Sequence, residues 1–261
     1  MSRSRTSWTA SVFALLASVA LMASGCGQSG GLTVGGSTTV QPLSEAWSDV
    51  FMEEYPGIEI AVQGGGSSAG IKGAAVGTLD IGAASRELRP SELESDLTVY
   101  RVAADGIAVV VHPDSAIDGM TIEELREIYM QGSNEEWTVV NREEGSGTRE
   151  VFWEKAMNLE RMSPMAEFLP SNGAVKEKVA STENGIGYIS LGYVDDSVKP
   201  LLIEGVECTP ENCLDGTYML MRYLLYVTRG DATGDAKTYI DFCLGPVGQR
   251  IVGEEGYIPV G

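Results

Sequence analysis

Three short turns carry the residues best suited to chemistry. "GGSTTVQP" (35–42), "GGGSSAGI" (64–71) and "REEGSGTRE" (142–150) each set glycine beside hydroxyl side chains. Each also stands between a stretch that reads as a strand and one that reads as a helix. The chemistry on offer is anion capture. Glycine lets the backbone approach a ligand closely. The first N–H groups of a helix have no internal partner, and Ser and Thr add O–H donors. The helix dipole adds about half a positive charge at the same place. One such turn is commonly a plain helix cap; three in one chain, each following a strand, point to one shared oxyanion. A fourth stretch, "DIGAASRELRP" (80–90), ends a strand with Ser85 and Arg86, and Arg142 opens the third turn. Guanidinium groups grip tetrahedral oxyanions through paired N–H donors. Salt bridges to surface acids are the ordinary alternative for either arginine.

Other chemistries fail on pattern. No GxxxxGK[ST] occurs, which excludes a phosphate-loop NTPase. Ser146 lies outside any GxSxG turn. The chain has one histidine, His112, which follows an apolar run just before Pro113, so a serine nucleophile lacks a base. No enzyme is expected, and no cofactor. The cysteine spacings match no zinc pattern. The formal net charge is -19, so neither nucleic acid nor an anionic lipid surface is attracted by bulk electrostatics. Any anionic ligand must be won locally, against the field of the whole chain.

The elements that must position these turns follow a leader. Residues 1–25 combine Arg3 and Arg5 with the apolar "WTASVFALLASVALMAS" and read as a secretory signal peptide. The small-small-Cys ending resembles a bacterial lipobox, with Cys26 as the lipidated first residue of the mature chain. Residues 26–31 read as a flexible tether. Removing two arginines and no acids takes the charge from -19 to -21. In the extracytoplasmic space so implied, "CTPENC" suggests a local disulfide between Cys208 and Cys213. Cys243, in "YIDFCLG", reads as a buried apolar residue.

After the tether, strands and helices alternate. "LTVGG" (32–36), "IEIAVQ", "LDIGAAS", "WTVVNR", "GIGYISL" (185–191) and "VKPLLI" read as strands. Residues 42–55 read as a helix with Leu43, Trp47, Val50 and Phe51 on one face, stopped by Pro56-Gly57. "TIEELREIY" is a second helix, with Thr121 and Glu124 forming a capping box. Two helices, near 233–244 and 246–254, close the chain. The βαβαβ run with short loops predicts an α/β doubly wound sheet. "GIAVVVHP" (106–113) and "YMLMRYLLYVTRG" (218–230) are long apolar strands and read as two crossings between lobes. Lobe one is expected over 32–107 plus 225–261, and lobe two over 112–217, with a ligand cleft between them.

Together these motifs resemble a known family. "GGSTTVQPLSEAW", "GGGSSAGIKG", "DIGAASREL", "REEGSGTREVF", "GIGYISLGYV" and "GPVGQRIVGEEGYIPV" are similar, in order, to the phosphate-binding subunit of phosphate ABC importers. The resemblance spans residues 32–261. It implies a two-lobed periplasmic-binding-protein fold with two crossover strands, inorganic phosphate as ligand, and delivery to membrane permease subunits and a cytoplasmic ATPase. It also implies a monomer without catalytic residues. With Pro42 as anchor, Thr38 and the Thr39 amide correspond to the first-turn donors, and Ser37 and Val40 adjoin them. Ser67 corresponds to the second-turn donor, and Arg142, Ser146, Gly147 and Thr148 to the third cluster. Some family members carry Asp at the position of Ser85, where a carboxylate accepts the proton of hydrogen phosphate and repels sulfate. Serine leaves another tetrahedral oxyanion (sulfate, molybdate or tungstate) as the alternative ligand.

Overall fold

The computed structural model describes residues 31–261. The expected leader and the lipidated Cys26 lie outside the described residues, as does all but the last residue of the tether. The first lobe begins β1 (Leu32–Gly36), α1 (Gln41–Glu54), β2 (Ile60–Gly64), α2 (Ser67–Val76), β3 (Ile81–Ala84) and α3 (Pro90–Leu93). A fifteen-residue strand, β4 (Leu97–Val111), leads to the second lobe. There follow β5 (Gly119–Met120), α4 (Ile122–Gln131), β6 (Thr138–Arg142), α5 (Gly147–Lys155), β7 (Glu167–Leu169), α6 (Asn172–Ala180), β8 (Gly185–Ser190), β9 (Lys199–Pro200), β10 (Leu202–Ile203) and α7 (Pro210–Leu214). The return strand is β11 (Met221–Arg229), followed by α8 (Gly234–Leu244) and α9 (Pro246–Glu254).

The helices form where the sequence places their signals. Pro42 stands in the first turn of α1, whose buried face carries Leu43, Trp47 and Phe51. The Thr121 hydroxyl accepts from the Glu124 amide at the start of α4, and the Glu124 carboxylate accepts from the Thr121 amide. Each lobe has its own apolar core. Trp47, Phe51, Tyr226 and Tyr239 lie in one, with Cys243. Tyr129, Phe152 and Tyr188 lie in the other.

The main sheet runs β2-β1-β3-β11-β4-β8-β6-β7. It is mixed, not uniformly parallel: β1 is parallel to β2 and β3, but β11 is antiparallel to β3 and β4. β4 belongs to both lobes. Its Leu97–Gly106 half pairs with β11, and its Ile107–Val111 half pairs with β8. The strand starts nine residues before the apolar run that announces it, because residues 97–101 are only partly covered and carry polar side chains.

Two expectations are corrected. "VKPLLI" is not one strand. Lys199–Pro200 pairs with β4, the Leu201 amide donates to the Val109 carbonyl, and Leu202–Ile203 turns away to pair with β5 in a separate sheet. Cys208 and Cys213 are free thiols. Thr209 caps α7, which carries Cys213 onto Gly106 beside Cys208. Both sulfurs are buried and lie side by side against Gly106. Their contact holds Cys213 below its ordinary pKa and pushes Cys208 up.

Candidate functional site

The four turns meet where the two lobes face each other. Ser37, Thr39, Ser67, Ser85, Ser146 and Thr148 are all buried there. The Ser67 and Ser85 hydroxyls stand 3.3 Å apart, and those of Thr39 and Thr148 3.1 Å apart. Gly147 has to be glycine, since a Cβ there would overlap both Ser67 Oγ and Ser85 Oγ. Gly147 and Thr148 are the first residues of α5, so their N–H groups face the same space without helical partners. Ser146 caps that helix: its hydroxyl oxygen accepts from the Arg149 amide, which leaves its proton free to donate.

Arg142 lies against this cluster and is almost completely buried. Glu143 holds it bidentately at 3.0 and 2.9 Å; the single Nε hydrogen is shared with the Leu169 carbonyl, and Nη2 also reaches the Pro170 carbonyl and the Thr38 hydroxyl. Among the described residues its Nη1 has no partner. A buried guanidinium nitrogen without an acceptor is costly, and an oxyanion in the cleft would satisfy it.

A second buried guanidinium, Arg222, stands behind the hydroxyls. Asp105 binds it at 3.0 and 2.8 Å. Burial pushes the Asp105 carboxyl up in pKa, while Arg222, the Ser190 hydroxyl and the Leu191 amide oppose that shift by donating to it. The rest of Arg222 reaches Ser85, through its carbonyl and hydroxyl oxygens, and the Thr39 hydroxyl. Asn172 also donates to the Thr39 hydroxyl, and its amide orientation is fixed by the Ser190 N–H that its oxygen accepts. Two donors that cannot accept therefore occupy the Thr39 oxygen. Its proton must leave, either to Thr148 or into the cleft, and in the first case Thr148 turns its own proton inward. The geometry is a set of hydroxyls oriented as donors by groups buried behind them.

The structure brings together Thr38, Thr39, Ser67, Ser85, Arg142, Ser146, Gly147 and Thr148, and it redirects four expectations. The Thr39 amide donates to Ser37 Oγ, so the hydroxyl, not the amide, is its free donor. Ser37 is correspondingly occupied as a turn-former, and its carbonyl accepts from Val40 and Gln41. Val40 is not at the site: its amide is used in that turn and its side chain lies in the first lobe's core. Arg86 is not free for a ligand. Glu92 holds it at 2.7 and 2.8 Å, and Glu150 stands 2.7 Å from its Nε. Sequence reading missed Arg222, Asp105 and Asn172. A signal was present for the first two: each is a lone charge inside a long apolar strand, and such charges need each other. The cross-strand register pairs them directly.

The lobes are closed on one another. Tyr193 donates to the Thr38 carbonyl at 2.8 Å, the Ser68 amide to the Gly145 carbonyl, and Arg89 to Glu150. His112 is elsewhere, at the far end of β4, where its Nδ1 accepts from the Asp114 amide.

Known proteins share this sequence and shape. A family model described as the PBP superfamily domain matches residues 23–247. The phosphate-binding protein PstS of Bacillus subtilis is 35% identical over 248 residues, covering 89% of this chain and 81% of that protein. Among solved structures, a candidate phosphate ABC transporter substrate-binding protein from Clostridium perfringens, with bound phosphate, superposes with a TM-score of 0.85. It is 37% identical and covers 88% of this chain and 100% of the other. An ABC-type phosphate transport receptor from Vibrio cholerae superposes with a TM-score of 0.74 at 32% identity, covering 88% and 100%.

Proposed function

The chain belongs to the family of phosphate-binding proteins of ABC importers, within the PBP superfamily, and on that premise we propose that it captures inorganic phosphate and delivers it to an importer permease. It is a binding protein, not an enzyme. The observation that carries the reading to this site is the buried, partnerless Nη1 of Arg142, set among inward-facing hydroxyls and the open amides of α5. Micromolar affinity corresponds to about 8 kcal/mol. Charge-assisted hydrogen bonds contribute about 1.5–3 kcal/mol each, so several such donors suffice after the cost of ordering the cleft.

The finer proposals complete the picture. Residues 32–107 with 225–261 form one lobe and 112–217 the other, hinged where β4 and β11 cross. Thr38, Thr39, Ser67, Ser85, Arg142, Ser146, Gly147 and Thr148 hold the ion. The protein acts outside the cytoplasmic membrane as a monomer, anchored through lipid on Cys26. No helix among the described residues is long and apolar enough to cross a membrane.

Ser85 favours a second reading of selectivity. Its hydroxyl can donate its proton to Ser67 and accept one from hydrogen phosphate, or turn and donate to sulfate. Calorimetric titration of the ligand-free protein with phosphate and with sulfate tests both readings. Micromolar or tighter phosphate binding is expected, with Arg142→Ala weakening it more than about tenfold and leaving the protein folded. Sulfate bound alone, or unchanged phosphate affinity in the variant, would overturn the ligand or the site respectively.

A further inference from the structure

One cavity shares a wall with the oxyanion site yet opens outward. It encloses about 580 Å³ between the outer side of Gly145-Ser146, helix α5 and β7, and Arg89 reaches it from the other lobe. Besides Arg89, which Glu150 already holds, its charged lining is two arginines, Arg149 and Arg161, against one exposed carboxylate, Glu144, so an excess of positive charge remains. Neither arginine forms an ion pair among the described residues, in a chain with 37 acidic residues. The Arg149 Nε is buried without a partner among the described residues, and its guanidinium lies 5.6 Å from the centre of the Phe168 ring. Phe168, Trp153 and Leu159 are exposed around the rim. Leu159 is held at a φ of 65°, a left-handed conformation that a leucine adopts only under constraint.

We propose that this cavity is the docking surface for an outward-facing segment of the importer permease, one that pairs a carboxylate with an apolar side chain. The proposal rests on the importer reading above. Charge complementarity selects the partner's chemistry. On a chain of net charge -19, unpaired guanidiniums beside bare rings suit a carboxylate brought from outside, with an apolar neighbour covering the rings. A protein segment fits better than a small anion, because an anion between the arginines would leave the exposed Phe168, Trp153 and Leu159 side chains of the rim uncovered. The surface also spans both lobes. Arg89 completes it only while it holds Glu150 across the cleft, so a permease docking here reads the closed, loaded form.

The test uses the full chain with its reconstituted permease and ATPase, and measures two quantities for each variant. One is the phosphate dissociation constant; the other is the concentration of loaded binding protein that half-saturates ATP hydrolysis. For Arg149→Glu/Arg161→Glu, the dissociation constant should stay within about twofold while half-saturation rises at least about tenfold. Arg161→Gln, at an exposed position, should fold normally and give a smaller rise in the same direction. Unchanged half-saturation in both variants overturns the docking surface. If it comes with heat on titrating phenyl phosphate into the loaded protein, the cavity is a small-molecule site instead. A wild type that binds no phosphate would refute the importer reading itself, which the first measurement detects separately.

Discussion

Arg142 is held by Glu143 on one side and by backbone carbonyls on another, and open on the side that faces the hydroxyls. Arg222 is the opposite case: every donor it has is spent on Asp105, Ser85 or Thr39. It acts on a ligand only through the hydroxyls it orients. Removing it alone strands a buried carboxylate, which costs about 3–5 kcal/mol. The double variant Arg222→Met/Asp105→Asn should recover most of that stability, because the amide oxygen introduced in place of the carboxylate can still accept from Ser190 and Leu191. It should not recover phosphate affinity. Urea unfolding beside calorimetry separates the two effects, and affinity returning with stability would make Arg222 merely structural. Ser85→Asp tests selectivity at the same spot. It places an acceptor beside Arg222 and Ser67, so competition by sulfate should fall at least about tenfold relative to phosphate, by the cost of facing like charges. At this scale the sequence named the hydroxyls that the structure gathers beside Arg142, because glycine-hydroxyl turns before helices have few other uses in threes. It misjudged Arg86 and overlooked Arg222, since a lone charge shows its type but not its partner.

The elements explain Arg86. It leaves the end of β3 and meets Glu92 of α3, whose carboxylate also accepts from the Arg89 amide. Arg86 and Arg89 together reach Glu150 on α5, across the cleft. This four-residue ion network ties one lobe's short helix to the helix that caps the oxyanion site. Burial pushes the Glu92 carboxyl up, but the Arg86 hydrogen bonds and the Arg89 amide outweigh it and hold the pKa below the ordinary value. A depressed carboxylate pKa stabilises the folded state fully above the unfolded value, about 4.3, and loses that contribution as pH falls through the lower folded value. Glu92→Gln should therefore be less stable than wild type at neutral pH, and the difference should shrink towards zero as acid protonates Glu92. Unfolding at about pH 7 and about pH 3 checks this; a difference that grew in acid would reverse the assignment. The capped start of α4 could be read from sequence to the residue, while its end runs to Gln131, beyond the expected Tyr129. α3 could not, because four residues are too few to show a helical period, and Glu92 is fixed by its ionic and hydrogen-bond contacts to Arg86 and the Arg89 amide.

The whole molecule sets its local donors against its own charge. The α/β class followed from the strand and helix alternation and the two lobes from the two long apolar strands, whereas the mixed centre of the sheet did not follow, because strand direction depends on pairings between β4 and β11 more than 110 residues apart. What that architecture achieves is separation: the acids lie mostly on the surface, while the site's two guanidiniums are buried with one carboxylate each. Around the cleft itself the paired charges nearly cancel, so the ion is held by N–H and O–H dipoles and by the open side of Arg142. Far from the cleft, a net charge of -19 repels every approaching anion. Such repulsion between solvent-exposed charges is screened over a Debye length of about 8 Å at physiological salt. The association rate of phosphate should therefore rise as salt is added from low ionic strength, while the dissociation rate, set inside the closed cleft, should change little. Stopped-flow binding across a salt series measures both. An association rate that fell with salt would mean that the entrance is locally positive enough to steer phosphate in, and that the charge separation lies in the surface around the mouth instead of in the buried site.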